Sequence, residues 1–245
     1  MRTFNEMRSL RLETGVQVHA GGSCLVRLGD THVLCSASLE ERLPAWLKGQ
    51  DRGWVTAEYG MLPASTHTRT DREAAKGRQQ GRTVEIQRLI GRSLRQALDL
   101  HALGARQVTL DCDVLNADGG TRCAAVTGAW VALALALKAW GLEAALTRQV
   151  AAVSVGILDG AWEAGAGSRR GLVLDLEYEE DRQAAVDCNL VASRPQGTPE
   201  AELELVEFQS TGEGRTFTRA EAMALLDLGL EGCRTLMAAQ RVALA

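Results

Sequence analysis

Apolar and polar residues follow a period of about two through residues 16–39, interrupted at Ala20-Gly21-Gly22 and Gly29-Asp30, and the pattern predicts a meander of three strands. Gly53 to Tyr59 reads as another strand, followed by a polar loop from Pro63 to Asp71. The period then changes. Val84, Ile86, Leu89, Ile90, Leu94, Ala97 and Leu98 recur at helical spacing, with arginines in the turns between them. Alternation returns from Arg106 to Leu115, where Val108, Leu110, Cys112 and Val114 share one face of a strand and Asp111 and Asp113 take the other.

Asp118-Gly119-Gly120 breaks that strand, and an alanine-rich helix is predicted from about Thr121 to Trp140. It is apolar nearly all round, with Ala124, Ala125, Gly128, Ala129 and Ala132 among its residues, which predicts a central, closely packed position beneath a sheet. Strands are expected at 149–158, 172–178, 185–192 and 204–209, with a hairpin or loop at Gly165 to Arg170. A closing helix starts at the capping box Thr218-Arg219-Ala220-Glu221 and offers Leu225, Leu226, Leu228, Leu230 and Leu236 as its buried stripe. Strands and helices in both halves place the chain in the α/β (α+β) class, and its length fits one large domain or two small ones, with no linker to decide.

Charge sharpens this picture. The whole chain carries a formal −4, yet residues 69–95 hold Arg69, Arg72, Lys76, Arg78, Arg82, Arg88, Arg92 and Arg95 against only Asp71, Glu73 and Glu85. Such a segment concentrates an anion-attracting field, although a charge run by itself is more often a solvated helix face laced with ion pairs. The Gly119-Gly120-Thr121-Arg122 turn opens a helix, where bare amides and the helix dipole favour an anion and glycine lets it reach the backbone. Asp175, Glu177, Glu179, Glu180, Asp181 and Asp187 lie on what read as two neighbouring strands. There they either hold a magnesium ion and supply an acid or simply face water.

Other chemistries find little support. The four histidines have no metal-ligand spacing, and Ser154 and Ser210 lack a nucleophile-elbow context. Six cysteines without a CxxC pair suit a reducing compartment. The N-terminus lacks a signal-peptide core, and the apolar run from Ala124 to Ala139 is short for a membrane span, so a cytoplasmic protein with no membrane partner is expected.

The run GWVTAEYGMLPASTHTRTDREAAKGRQQGRTVEIQRLIGRSLRQALDL, then LDCDVLNADGGTR and VAAVSVGILDG, resembles ribonuclease PH, the family of phosphate-dependent exoribonucleases that trim transfer-RNA 3′ ends. The similarity covers nearly the whole chain. It implies a single domain over residues 1–245 with a βαβα-type fold, mixed sheets packed on helices, shared with polynucleotide phosphorylase and exosome core subunits, and a homohexamer built as a trimer of dimers. It also implies inorganic phosphate as co-substrate, with Arg82, Gly120, Thr121 and Arg122 binding it, and Arg69 and Arg72 gripping the RNA of a transfer-RNA precursor. Asp181 and Asp187 match the family's acid and Mg2+-binding positions. A general RNA phosphorylase of the exosome type and a non-catalytic RNA-binding ring subunit remain the alternatives.

The chain departs from the family pattern in places. It starts a few residues later, and Gln80 replaces the first glycine of GGRT. Arg182-Gln183-Ala184-Ala185-Val186 stands for SAAET, Cys188 for methionine, and Glu207-Phe208-Gln209-Ser210-Thr211 for EVQGT. Residues 162–171 and 194–203 read as additions or divergent loops.

Overall fold

A computed structural model describes residues 2–160 and 170–245, so the loop expected at 165–170 lies, but for its last residue, outside the described residues. The first sheet contains β1 (Leu10–Thr14), β2 (Gly22–Leu28), β3 (Thr31–Glu40), β4 (Trp54–Met61) and β5 (Gln107–Asn116), in the spatial order β1-β2-β3-β5-β4. Pairing is antiparallel except between β4 and β5. Parallel neighbours need a long crossover, and here it runs through α1 (Glu73–Lys76) and α2 (Gly81–Arg95).

The meander forms, but its first strand is residues 10–14 instead of a segment starting at 16. Gly15, at φ +69, ends β1, and Val18 beyond it is 92% exposed. The alternation at Val16 and Val18 therefore faces no core, whereas Leu10 and Leu12 pack against one. On α2 the buried face is Ile86, Leu89, Ile90 and Leu94, while Val84 turns to solvent and Ala97 and Leu98 are buried just past the helix end. Two of its arginines are structural: Arg92 pairs with Glu207 at 2.5 Å, and Arg95 donates to Val55 O at 2.8 Å and lies 4.4 Å over the Trp54 ring.

The second sheet is antiparallel throughout, in the order β7-β6-β8-β9, with β6 Arg148–Asp159, β7 Arg170–Leu174, β8 Val186–Pro195 and β9 Glu204–Gly212. The strand expected over 172–178 stops at Leu174 because Asp175 takes a left-handed conformation, φ +58. The chain then turns into α4 (Tyr178–Gln183), opened by a Glu177–Glu180 capping box, so most of the acidic run is helical and the two-strand reading of it is wrong. β8 continues two residues into the expected 194–203 loop, where buried Arg194 donates to Gln149 Oε1 at 2.9 Å.

Between the sheets lies α3 (Thr121–Ala139), packed on β2, β3 and β6, which explains why it is apolar on every side. It is long and apolar enough to cross a membrane, with a mean hydropathy of 1.4, but 78% of that window is buried inside the protein. A Cβ on Gly128 would lie 2.3 Å from Val26, so the helix approaches β2 at a distance only small residues permit. The pleat of the second sheet turns Val150, Ala152 and Val191 into the core around α3. Ala151, Val153, Val155, Cys188 and Leu190 turn instead toward α5 (Arg219–Leu244).

The capping box at Thr218 and Glu221 forms as expected. The stripe of α5 differs: Leu225 and Leu236 are buried with Gly229, Gly232, Cys233 and Met237, whereas Leu226, Leu228 and Leu230 are half-buried. Each fully buried leucine contributes about 1.5–3 kcal/mol. Because β7 pairs only with Val155–Asp159, the edge of β6 before it has no strand partner among the described residues. Thr127 Oγ1 accepts from Ala152 N at 3.1 Å there, and Gln240 Nε2 donates to Val150 O at 2.9 Å, so the two helices satisfy that edge. All six cysteines are free and buried.

Candidate active site

Four residues join β5 to α3, and their geometry depends on two glycines. Gly119 and Gly120 sit at φ +73 and +65, and a Cβ on Gly119 would lie 2.4 Å from Leu176 O. Gly120 caps α3 with no side-chain acceptor, so the first amides of a 19-residue helix stay open to an anion. Tyr59 on β4 reaches the same point, its Oη 2.9 Å from Thr121 Oγ1.

Arg8, 8% exposed and just before β1, holds this turn from behind. Its Nε and Nη2 donate to Asp175 Oδ2 and Oδ1 at 3.0 and 2.7 Å, its own amide donates to Oδ2 at 2.9 Å, and Nη1 donates to Asp118 O. Thr31 Oγ1 accepts from Asp118 N at 3.0 Å and donates to Gly119 O at 2.6 Å. A bidentate pair with its remaining donors used on backbone carbonyls is a rigid support. The acidic constellation is thereby divided. Asp175 answers Arg8, Glu180 pairs with Arg2 and caps α4, and Glu179 pairs with Arg182 at 3.0 Å. Arg8 escapes a reading based on clusters; its only mark is a charge just before the apolar alternation of Leu10 and Leu12.

Tyr59 also lines a cleft of ≈ 660 Å³, together with Arg72, Arg78, Arg82, Thr83 and Asp113, among others, and the turn itself contributes no lining residue. Arg82 and Arg72 are exposed at its rim. Arg69 does not line it and pairs with Asp71 at 3.3 Å in solvent. Arg122 points its Nη1 at Glu85 Oε1, 3.1 Å, and Gln209 Oε1, 3.3 Å, two partners that the sequence did not single out.

Asp187 lies on the β8 face turned toward α3, beside Asn189, whose Nδ2 is 3.4 Å from Asp187 Oδ2 and whose Oδ1 accepts from Cys123 Sγ. Burial pushes its carboxyl up to about 6, the charge of Asp181 adds to this, and Arg122 opposes it. Asp181 is also raised by its surroundings, with Arg82 and Arg122 pulling it down. Since Asp181 stays in contact with solvent, that desolvation is partial and Asp187 is the stronger proton carrier. Both aspartates therefore feel Arg122, and Asp181 feels Arg82, which places the phosphate-binding candidates and the acids in one field. Among the described residues no group of three or more histidine, cysteine or carboxylate side chains is arranged to hold a metal ion.

The model of the 3′ exoribonuclease family, domain 1, matches residues 6–138. The Ribonuclease PH of Rhodospirillum rubrum is 54% identical over 249 aligned residues, covering 100% of this chain and 97% of the relative, and that of Roseobacter denitrificans is 50% identical with 100% and 98% covered. The chain belongs to the ribonuclease PH family. By that membership it is a phosphorolytic 3′-5′ exoribonuclease with phosphate as co-substrate, in the family whose known role is transfer-RNA trimming. Solved structures share the fold at lower identity. Rice Rrp46 gives a TM-score of 0.75 at 18% identity over 100% of this chain and 98% of its own. The Archaeoglobus fulgidus exosome with RNA bound to the active site gives 0.75 at 22% identity over 96% and 89%.

Proposed function

We propose that the turn at Gly120, Thr121 and Arg122, together with Arg82, binds the attacking phosphate, and that Asp187 and Asp181 serve the leaving group. The observation that carries this reading is the rigid two-glycine turn with its open amides, joined through Tyr59 to a cleft lined by Arg82, while burial raises the Asp187 carboxyl to about 6. A phosphate oxygen attacks the terminal phosphorus in line, the bond from phosphorus to the 3′ oxygen breaks, and the terminal nucleotide leaves as a nucleoside diphosphate. Asp187 gives its proton to the departing 3′ oxygen. The chain's contribution is positioning and charge stabilisation, with Arg122 exchanging Glu85 for the phosphate.

Two neighbouring carboxylates, one of which raises the other, suit a hard cation that takes its other ligands from phosphate and water. Asp181 would hold a Mg2+ ion, with Asp187 as a second ligand only in its carboxylate form, and the ion would offset charge on the reacting phosphates. Arg72 and Arg69 grip the RNA, the substrates are transfer-RNA precursors with 3′ extensions, and the chain works as one domain in a cytoplasmic homohexamer, a trimer of dimers.

The test separates nucleoside mono- from diphosphates after incubation of a transfer-RNA precursor with Mg2+, with and without phosphate. Diphosphates should appear only with phosphate, and added diphosphate should extend the RNA. Monophosphates released equally in both conditions would make the enzyme a hydrolase, and no product would make the chain an inactive ring subunit.

A further inference from the structure

Two aromatic rings from distant parts of the chain meet beside the turn that begins α3 and have no part in the chemistry described. His67, in the loop after β4, and Tyr178, the first residue of α4, have ring centroids 5.2 Å apart with planes tilted by 36°. Both positions are built from the phosphate turn. The loop closes on itself through Thr70 N to Pro63 O at 2.8 Å, and Ala117 N, inside the turn, donates to Ser65 O at 2.8 Å. On the other side, Tyr178 N donates to Asp118 Oδ1 at 3.2 Å. The rings thus bridge the turn from its two flanks, and Asp181 follows Tyr178 by three residues, on the same face of α4.

A packing role would bury these rings. Tyr178 is instead 41% exposed and His67 is exposed. Exposed aromatic surface beside an anion site has an evident complement in a nucleic acid, whose every base offers a π-face for sequence-tolerant stacking. We propose that Tyr178 and His67 form a stacking platform for the base of the 3′-terminal nucleotide, a subsite that holds the last residue while phosphate attacks its phosphodiester. The inference rests on the phosphorolytic reading above. It assigns base contact to an aromatic pair separate from the arginines that grip the backbone, and because every base has a π-face it predicts trimming with little regard to which base is last. The nucleoside diphosphate product carries the same base, so the platform also serves the reverse reaction.

The test compares an oligoribonucleotide with the same strand ending in an abasic nucleotide, measuring KM for RNA and for phosphate separately. Tyr178→Ala should raise KM for the normal RNA roughly tenfold and leave KM for phosphate unchanged, while Tyr178→Phe keeps the parent value. The abasic strand should cost the parent a similar factor, and Tyr178→Ala should add nothing further on it. His67→Ala, read the same way, repeats the test on a residue outside α4. Equal losses on both strands, or an unchanged KM for RNA in both alanine variants, would overturn the platform. A 2-aminopurine at the 3′ end supplies a reading that needs no turnover: the parent should quench it and Tyr178→Ala should not. Should the parent release no nucleoside diphosphates, the reaction assigned above falls, and the quenching alone decides the platform.

Discussion

The turn at 117–122 and the segment at 69–82 both offer positive charge or bare amides, and Tyr59 connects the one to the cleft lined by the other, yet they are constructed in opposite ways. Buried Arg8 and Asp175, Thr31, Tyr59 and the buried start of α3 hold the turn. The segment is exposed almost throughout; its α1 has four residues, and Thr83 Oγ1 to Glu73 at 2.7 Å and the pairing of Asp71 with Arg69 and Lys76 are among the few contacts it makes. A small tetrahedral anion has one shape, so a rigid receptor binds it without ordering cost. An RNA 3′ end has many shapes, and a yielding surface accommodates them at the expense of affinity per contact.

The comparison breaks first at Arg8. Arg8→Met leaves the Asp175 carboxylate buried without its cation and should cost about 3–5 kcal/mol in urea unfolding, together with a raised KM for phosphate. A variant as stable as the parent would show that the turn does not depend on the pair. Asp187→Asn keeps shape while removing the proton and the charge, and turnover should fall about 100-fold or more while RNA binding persists. The same variant carries a stability signature. The folded carboxyl titrates at about 6 against an ordinary 3.8, so the native state holds its proton more tightly, and stability from this group is full below about pH 4 and lost as pH rises to about 6. The asparagine escapes that loss, so its stability relative to the parent should grow by about 2 kcal/mol between pH 4 and 6 and then level off. A difference independent of pH would deny the raised carboxyl.

Smaller effects sharpen the contrast. Glu85→Gln removes the anion that occupies Arg122 at 3.1 Å, and since Glu85 is half-exposed the change should lower KM for phosphate only about threefold. On the yielding side, Arg69→Ala with Arg72→Ala should leave unfolding within about 0.5 kcal/mol of the parent. Its mark should be a shallower fall of RNA affinity with salt, the slope losing about 1.4 for two single-strand phosphate contacts. A steep loss of stability there would mean the segment is as rigid as the turn.

Legibility in the sequence followed the range of the interactions. α3, β5, the capping box of α5 and the Gly119-Gly120 break were readable because periodicity and turn chemistry are local. The first strand was misplaced because Val16 and Val18 alternate well enough, and only the register of β1 on β2 shows that Leu10 and Leu12 reach the core instead. Residues 172–178 looked like one strand because nothing local announces that Asp175 will adopt φ +58 to meet an arginine 167 residues away. The arginine segment was readable as charge but not as function, since Arg92 and Arg95 differ from Arg82 only in what the fold sets opposite them. Resemblance to a family named the roles of Arg82, Arg122, Asp181 and Asp187; composition alone reached only an anion site and an acid site.

The position of α3 between two sheets has a consequence for how such a chain can change over generations. The turn proposed to bind phosphate begins this helix, and Asp187, the proposed acid, lies on the sheet face pressed against it, so the helix sets the gap between the two. Ala124, Ala125, Ala129 and Ala132 are at most 2% exposed, and they fix that gap by their volume. Selection for turnover is thus felt by methyl groups that never meet a substrate. A drift from alanine to valine there would spread the sheets and put two intact half-sites out of step, while every residue with a chemical role stayed the same.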